Sequence, residues 1–387
     1  MIINKILITC SRQINDILAE EVEGLGFKVI TKGFMDVALE GTMEDCMKLN
    51  LYLRTGHRVL WHVKSFTAGH PDLLYKEVNK IPWEQYLDPD GYLSIGSYVQ
   101  NEHINHSGFA NLRTKDAIVD RMQNKFGRRP QSGPNNDRTV LFLHWKGKDC
   151  SIYIDTSGET IAKHGYRKLP FKAPMQESLA AATILASRWD QNSHFINPMC
   201  GSGTLAIEAA MIAIDKAPGL LRENFGFMHI LGYDARAWRK LKAEAKQKVK
   251  NSLNFQIIAS DISPLAIDAA RKNAVYAGVD HLISFEQCDF QECAVPEGGG
   301  VVMFNPEYGE RLGEEEALLE VYQKIGDFFK KKCSGYFGYI FTGNFRLAKN
   351  VGLKTRRKIE FYNSKIECRL LEYELYTGTR KQERIQV

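Results

Sequence analysis

The sequence predicts an α/β protein whose C-terminal part is a doubly wound, mostly parallel sheet ending in an antiparallel hairpin, preceded by smaller α+β modules. Three observations predict it. From Phe195 onward, short apolar strands alternate with helix-period segments. A glycine-rich loop, Asn197-Pro-Met-Cys-Gly201-Ser-Gly203-Thr204, falls between the first of these strands and the helix beginning near Leu205. Finally, Lys358–Tyr362 and Glu367–Tyr376 are extended segments separated only by a short polar turn, which leaves no room for a helical crossover and so requires antiparallel pairing.

The opening reads as strand Lys5–Cys10, helix Asp16–Gly24, extended Phe27–Thr31, strand Asp36–Glu40 and helix 43–53, a small split β-α-β unit. A second region, from about Val63 to Ile161, carries alternating segments at Tyr92–Val99, Thr139–His144 and Cys150–Asp155. Between the first two lies a basic helical pattern, Leu112–Phe126, with Arg113, Lys115, Arg121 and Lys125, followed by Arg128 and Arg129. Such a helix is either an ordinary solvated surface or a grip on phosphates. A Pro-punctuated connector around Gly165–Pro174 marks the main boundary, before a helix over Gln176–Ser187. The expected modules are 1–62, 63–165 and 166–387. Beyond the connector come strand Phe195–Asn197, helix Ala206–Ile214, strand Phe255–Asp261, helix Leu265–Ala277, strand Val301–Asn305, helix Glu314–Lys331 and strand Tyr336–Phe341.

Composition narrows the class. With 387 residues, 44% hydrophobic and 25% charged, the chain can bury a large core across two or three domains. No apolar run reaches a membrane span, and Met1–Cys10 lacks the basic region and cleavage site of a secretory leader. The eight cysteines show no C-x-x-C pair and no His partners at metal-like spacing, so reduced thiols, a cytoplasmic location, no membrane and no metal are expected. The formal net charge is +5, yet Asn344–Val387 alone holds 11 Lys/Arg against 5 Glu, which suits either a polyanionic partner or a solvated basic tail.

Chemistry is expected at the strand ends. The glycines of the first loop let a ligand approach the backbone, and the exposed N–H groups at the helix start favour a polar or anionic group. A bare G-x-G-x-x-A fits nicotinamide and flavin enzymes as well. The next strand-end carboxylate, Asp261 in Ile258-Ala-Ser-Asp-Ile262, can accept both hydroxyls of a ribose, but an insertion at about Lys216–Asn254 separates it from the glycines by far more than dinucleotide folds use. Asp289 with Phe290 ends a third strand and suits a purine amino group, or merely caps a turn. The fourth ends in Asn305-Pro306-Glu307-Tyr308. The Asn oxygen and the Pro carbonyl can accept both hydrogens of a planar amine while the aromatic ring stacks on its base, an arrangement that orients the nitrogen without a strong general base.

With these residues in view, the chain resembles the THUMP-domain class of S-adenosylmethionine-dependent RNA methyltransferases, and within it the bacterial enzymes that make N2-methylguanine in large-subunit ribosomal RNA. The resemblance runs through His164-Gly-Tyr-Arg167 with Ala173-Pro-Met-Gln-Glu-Ser-Leu-Ala-Ala-Ala182, the loop Asn197–Ala210, Ala217-Pro-Gly-Leu-Leu-Arg222 with Phe225-Gly-Phe227, and Asp261 before Asn273-Ala-Val-Tyr-Ala-Gly278. It implies a ferredoxin-like module, a THUMP module and a Rossmann-like class I methyltransferase domain with a mostly parallel seven-stranded sheet. It also implies that Asn197, Met199, Gly201, Gly203 and Thr204 bind the methionine part of S-adenosylmethionine, Asp261 and Ile262 the ribose side, and Asp289 with Phe290 the adenine. Asn305, Pro306 and Tyr308 would then be catalytic, with Arg113, Lys115, Arg121, Lys125, Arg128 and Arg129 facing structured RNA, 23S ribosomal or transfer RNA.

Two departures stand out. Asn197 replaces the usual Asp, removing a charge but keeping an acceptor, and Glu307 replaces the second Pro of an N-P-P-Y motif. Family members include a longer fused enzyme, of which this chain matches the first half. Other readings fit parts of the sequence: a nucleophilic Cys200, a protein glutamine or DNA acceptor, or a non-catalytic RNA-binding assembly factor that keeps the fold.

Overall fold

The computed structural model describes residues 2–102, 104, 106–170, 175–307 and 315–376. They form two units. One comprises Met1–Ser11, Leu18–Ala162 and Pro218–Gln247; the other comprises Arg12–Ile17, Lys163–Ala217 and Lys248–Val387.

The first unit is built on one eight-stranded sheet. Its strands are β1 (Asn4–Thr9), β2 (Thr31–Lys32), β3 (Asp36–Gly41), β4 (Arg58–Thr67), β5 (Tyr92–Gln100), β6 (Gln131–Ser132), β7 (Thr139–Lys146) and β8 (Asp149–Asp155), in the order β2-β3-β1-β4-β8-β7-β5-β6. The strand missed by sequence reading is β4. It pairs with β1 through Trp61–Ile6 and with β8 through Leu60–Asp155, so the two expected modules share one sheet and the boundary expected at 62 falls inside a strand. Of the extended segment expected at Phe27–Thr31, only Thr31 pairs, and Phe27–Ile30 runs as irregular chain. The alternation that β7 displays puts Leu141, Leu143 and Trp145 into the core, while Phe142 and His144 point to the other face. Helix Ser107–Phe126 packs on β5 and begins five residues before the basic pattern that revealed it.

The insertion 218–247 belongs to this first unit, although it interrupts the second in sequence. Its anchors are close and specific. Phe227 N–H donates to the Thr156 carbonyl at 3.0 Å, Thr139 Oγ1 donates to the His229 carbonyl at 2.8 Å, and Arg222 Nη1 donates to the Thr160 carbonyl at 3.0 Å. Phe225 and Phe227 stack 5.2 Å apart, and Trp238 closes on both edge-on at 5.3 and 5.0 Å. Backbone meets backbone at Gly226, where a Cβ would lie 2.3 Å from the Asp155 carbonyl oxygen.

The second unit has the strands β9 (His194–Pro198), β10 (Ile257–Asp261), β11 (Ile283–Gln287), β12 (Gly300–Phe304), β13 (Tyr336–Thr342), β14 (Arg357–Asn363) and β15 (Ile366–Glu374), ordered β11-β10-β9-β12-β13-β15-β14. Strands β11 to β13 run parallel through β10, β9 and β12, whereas β15 is antiparallel to both β13 and β14. The order reverses between β9 and β12, which is where an open α/β sheet leaves its ligand crevice. Its core gathers Phe304, Phe328, Phe329 and Tyr373 beneath helix Glu315–Lys332.

Within the C-terminal hairpin, arginines pair with glutamates of the same segment, Arg356 with Glu374 and Arg357 with Glu372. Burial would raise the Glu372 carboxyl, but hydrogen bonds from Arg357 and Tyr339 outweigh it and hold the group below the usual carboxylate range. Residues 377–387 lie outside the described residues. Among those described, no helix is long and apolar enough to cross a membrane, and no cluster of three His, Cys, Asp or Glu side chains is placed to hold a metal.

Replacing Gly226 by Ala forces a methyl group into the Asp155 carbonyl and should lower the stability of the first unit by about 1–3 kcal/mol, read as an earlier urea midpoint. An unchanged midpoint would show that the insertion does not press on the sheet.

Candidate functional site at the parallel strand tips

Each tip is positioned by hydrogen bonds to its neighbour. After β9 the chain turns sharply through Met199, whose φ of 56° is unusual for a side-chain-bearing residue, and through Gly201 and Gly203 at 53° and 80°. Nothing lies within 4 Å of where a Gly201 Cβ would point, whereas one on Gly203 would lie 2.9 Å from Ala270 Cβ. The two glycines therefore have different reasons: the first leaves space open, and the second lets the following helix pack closely.

Asp261, at the end of β10, joins this loop to the next one. Its Oδ2 accepts from Gly201 N–H at 3.0 Å and its Oδ1 accepts from Ser263 N–H at 2.9 Å. Each carboxylate oxygen keeps a lone pair for a ligand hydroxyl. Its neighbour Ile262 is 69% exposed, an isoleucine left for a flat apolar ligand to cover. The Asp261 carbonyl accepts from Cys288 N–H at 3.2 Å, which ties β10 to the tip of β11.

The tip of β9 is tied to β12 by Asn197. Its Nδ2 donates to the Met303 carbonyl at 2.9 Å, while its buried Oδ1 has no partner among the described residues. An unpartnered buried acceptor costs about 1–3 kcal/mol unless a donor arrives, so this atom is suited to a ligand N–H. Two residues past Met303 stands Asn305, half-buried, with no hydrogen bond to its side chain among the described residues, followed by buried Pro306 and exposed Glu307. Tyr308 lies outside the described residues.

Two residues expected at the adenine also have structural roles. The Phe290 ring is 7% exposed and packs edge-on against Phe304, at the end of β12, and Phe328 at 5.6 and 6.1 Å. Asp289 caps the short turn after β11, accepting from Gln291 N–H at 2.9 Å, with one oxygen left over. Thr204 is buried at the helix start and accepts from Arg167 at 3.2 Å.

The sequence reading missed what supports the loop. Asn273, fully buried in helix Pro264–Ala277, accepts on Oδ1 from both Lys168 and Leu169 N–H at 3.1 Å, and donates from Nδ2 to the Leu169 and Ser202 carbonyls at 2.9 and 3.2 Å. Arg167 donates to the Met175 carbonyl as well as to Thr204, and pairs with Glu177 at 3.4 Å. His164 of the connector forms a fully buried pair at 2.7 Å with Glu208, on the helix that starts at Thr204. The connector Lys163–Pro170 is thus stapled to the glycine loop. Such a polar residue in the helical pattern at 273 was the available signal, because a buried Asn must satisfy both ends of its amide.

The basic residues of the first unit are mostly engaged. Glu84 receives Arg121 on both oxygens at 2.9 Å and Lys125 at 2.6 Å, and the Arg121 hydrogen bond holds its carboxyl well below the usual range. Arg113 pairs with Asp72, Lys115 with Asp116 and Arg128 with Asp90. Of the six, Arg129 alone shows no ion pair among the described residues, so the helix offers phosphates far less charge than its sequence promised.

Cys200 is buried beside Asp261, and burial followed by that carboxylate pushes its thiol far above the normal range, which rules against a thiolate nucleophile. Cys200→Ala should keep near-normal methyl transfer; a dead variant that still binds cofactor would reverse this assignment. Asn273→Ala should cost about 2–4 kcal/mol and weaken cofactor binding, since it strands two N–H groups and frees Ser202. Wild-type cofactor affinity in that variant would show that the staple leaves the loop unaffected.

Comparison with known proteins agrees with this arrangement. Residues 164–372 match the family model described as RMKL-like, methyltransferase domain; residues 5–60 match the RlmL ferredoxin-like domain, and 70–155 the THUMP domain. A ribosomal RNA large subunit methyltransferase K/L of Syntrophotalea carbinolica is 37% identical over 381 residues, covering 96% of this chain and 53% of that protein. The chain spans about half the length of the K/L relatives it matches. A putative RNA methyltransferase of Synechocystis sp., slr0064, is 32% identical, with 95% and 96% covered. Among solved structures, SMU.472, a putative methyltransferase complexed with SAH, superposes with a TM-score of 0.88 at 27% identity, covering 97% of this chain and 99% of that one. A predicted N6-adenine-specific DNA methylase from Listeria monocytogenes gives 0.87 at 31%, with 96% of each covered. With more than half its length under the catalytic-domain model and a near full-length relative above 30% identity, the chain belongs to the RMKL-like methyltransferase family, carrying ferredoxin-like and THUMP domains ahead of the catalytic one.

Proposed function

We propose that the chain transfers a methyl group from S-adenosylmethionine to the exocyclic amine of a base in structured RNA, and that the acceptor is N2 of a guanine in 23S ribosomal RNA. The observation that carries this reading is the linkage of the strand tips: Gly201 to Asp261, Asp261 to Cys288, and Asn197 to Met303, two residues before Asn305. This linkage supports a cofactor loop and an amine-holding motif that share one crevice. The K/L and slr0064 relatives support RNA as substrate, and the SAH complex of SMU.472 supports the cofactor.

The residues present fit S-adenosylmethionine. The lone acceptor of Asn197 suits its ammonium group, the open space at Gly201 and the turn through Met199, Gly203 and Thr204 its methionine chain, Asp261 its ribose hydroxyls, and Ile262 with the spare oxygen of Asp289 its adenine. When bound, it supplies an activated methyl group. Asn305 Oδ1 and the Pro306 carbonyl hold the two N–H bonds of the guanine amine, which aims the nitrogen lone pair at the methyl carbon. With the methyl donor bound, transfer to the amine held by Asn305 and Pro306 would release one proton, which water can accept. Tyr308 stacks on the base, extruded from its helix.

The working modules are 1–62, 63–165 and 166–387, with 218–247 serving the first two. Arg113, Lys115, Arg121, Lys125, Arg128 and Arg129 serve as a phosphate grip moderated by their carboxylate partners.

Asn305→Ala should cut turnover by roughly 10²–10³-fold, as loss of one aimed hydrogen-bonding group in a site does, while calorimetric cofactor affinity stays near wild type. Equal loss of both would reduce Asn305 to a pocket support. Nucleosides from RNA of a strain lacking the protein should lack one N2-methylguanosine; loss of N6-methyladenosine instead would move the acceptor to adenine, and no lost methylation would favour a non-catalytic assembly role.

A further inference from the structure

One face of the eight-stranded sheet carries a row of rings. Cross-strand register lines up His62, Tyr153, Phe142 and Gly96 across β4, β8, β7 and β5, and places His144 beside Tyr98 one pair further along. Tyr98 and His144 stack with centroids 5.3 Å apart and planes 15° from parallel, and Tyr98 is 48% exposed. His62 meets Tyr153 edge-on at 5.4 Å and is fixed by Ser65, which bonds Ser151 in turn, each at 2.8 Å.

A water-facing sheet surface ordinarily carries Thr, Lys and Glu, so this concentration of rings calls for a ligand. Asp36 on β3 exerts its charge on His144 and Tyr153, which lie four and three strands away in sheet order. Burial holds both imidazoles below the usual histidine range, helped by Lys5 at His62, and at His144 opposed by Asp36 and helped by Lys146, which favours flat uncharged rings. A Cβ on Gly96 would touch Phe142 at an ordinary 3.5 Å, so space does not demand glycine there; its absence of a side chain leaves the Phe142 ring accessible. Lys5 and Lys146, both exposed, stand at the margins of this face. Neither has a carboxylate within 4 Å among the described residues, although Glu40 and Asp149 are their cross-strand neighbours.

We propose that this face binds an unpaired RNA nucleotide, its base stacked on the Tyr98–His144 pair and its backbone phosphates facing Lys5 and Lys146. The inference rests on the RNA reading above and names a second contact for that RNA, on the sheet face opposite the helix whose cations are spent on carboxylates. A stacked pair of rings flanked by exposed lysines, each facing a carboxylate across the strand rather than ion-paired to it, matches a nucleotide, with a π-face and a phosphate, better than an acidic or purely apolar partner.

The test measures binding of a short labelled single-stranded RNA, and of a duplex of the same sequence, to the full chain. Tyr98→Ala and His144→Ala should each weaken single-strand binding by about 5- to 150-fold, the worth of one stacked base, and Tyr98→Phe should keep it within about twofold. Duplex binding, calorimetric affinity for S-adenosylmethionine and the circular dichroism melt should stay unchanged. Wild-type single-strand affinity in the Ala variants overturns the proposal while leaving the RNA reading intact; a wild-type chain that binds neither RNA overturns both. Concentration-dependent dimers that Tyr98→Ala dissolves would assign the face to a second copy of the chain and overturn the nucleotide.

Discussion

Two hydrogen bonds to the Asp261 carboxylate set the geometry on which the candidate site depends. One oxygen receives Gly201 N–H and the other Ser263 N–H, so the loop after β9 and the loop after β10 are held by one side chain. Charge-assisted bonds of this kind are shorter and stronger than neutral ones, and both are made with backbone, which leaves little freedom for either loop. Around this joint the remaining tips fall into place through Cys288 N–H on one side and the Asn197 amide on the other. The same carboxylate keeps spare lone pairs, so an element that organises the crevice is also equipped to bind within it.

The first loop of that crevice is held by buried polar groups. Asn273 and Arg167 hold the connector against Ser202 and Thr204, and His164 of the connector is sealed against Glu208 on the helix that the glycine loop starts. A buried polar group without partners would cost more than it contributes, so each of these residues is tolerable only because its neighbours are present. The connector that leads from the N-terminal modules is consequently part of the glycine loop's scaffold.

Charge is distributed on a similar principle. Arg121 and Lys125 of the basic helix converge on Glu84, 37 and 41 positions away in sequence, so much of that helix's charge is neutralised internally. Counting lysines and arginines overstates the field available to a polyanion when the carboxylates that pair with them come from distant parts of the chain. The rings of the opposite sheet face, by contrast, are visible only when β4, β8, β7 and β5 are set side by side.

The parallel alternation, the terminal hairpin and the glycine loop were all legible in sequence, because each is written in local periodicity and in residues whose backbone preferences act within a few positions. Asn197, Asp261 and Asn305 could likewise be placed at strand ends, since the end of an apolar run is a local signal. Strand β4 was not legible: its alternation is broken at the register shift between His62 and Lys64, and its identity as a strand comes from partners at both edges. Nor could sequence return the insertion 218–247 to the first unit, put Phe290 in the core, or assign Glu84 to Arg121. Those outcomes depend on which surfaces meet after the chain has folded, and contacts between residues far apart in sequence are decided by packing and long-range pairing, which local pattern does not encode.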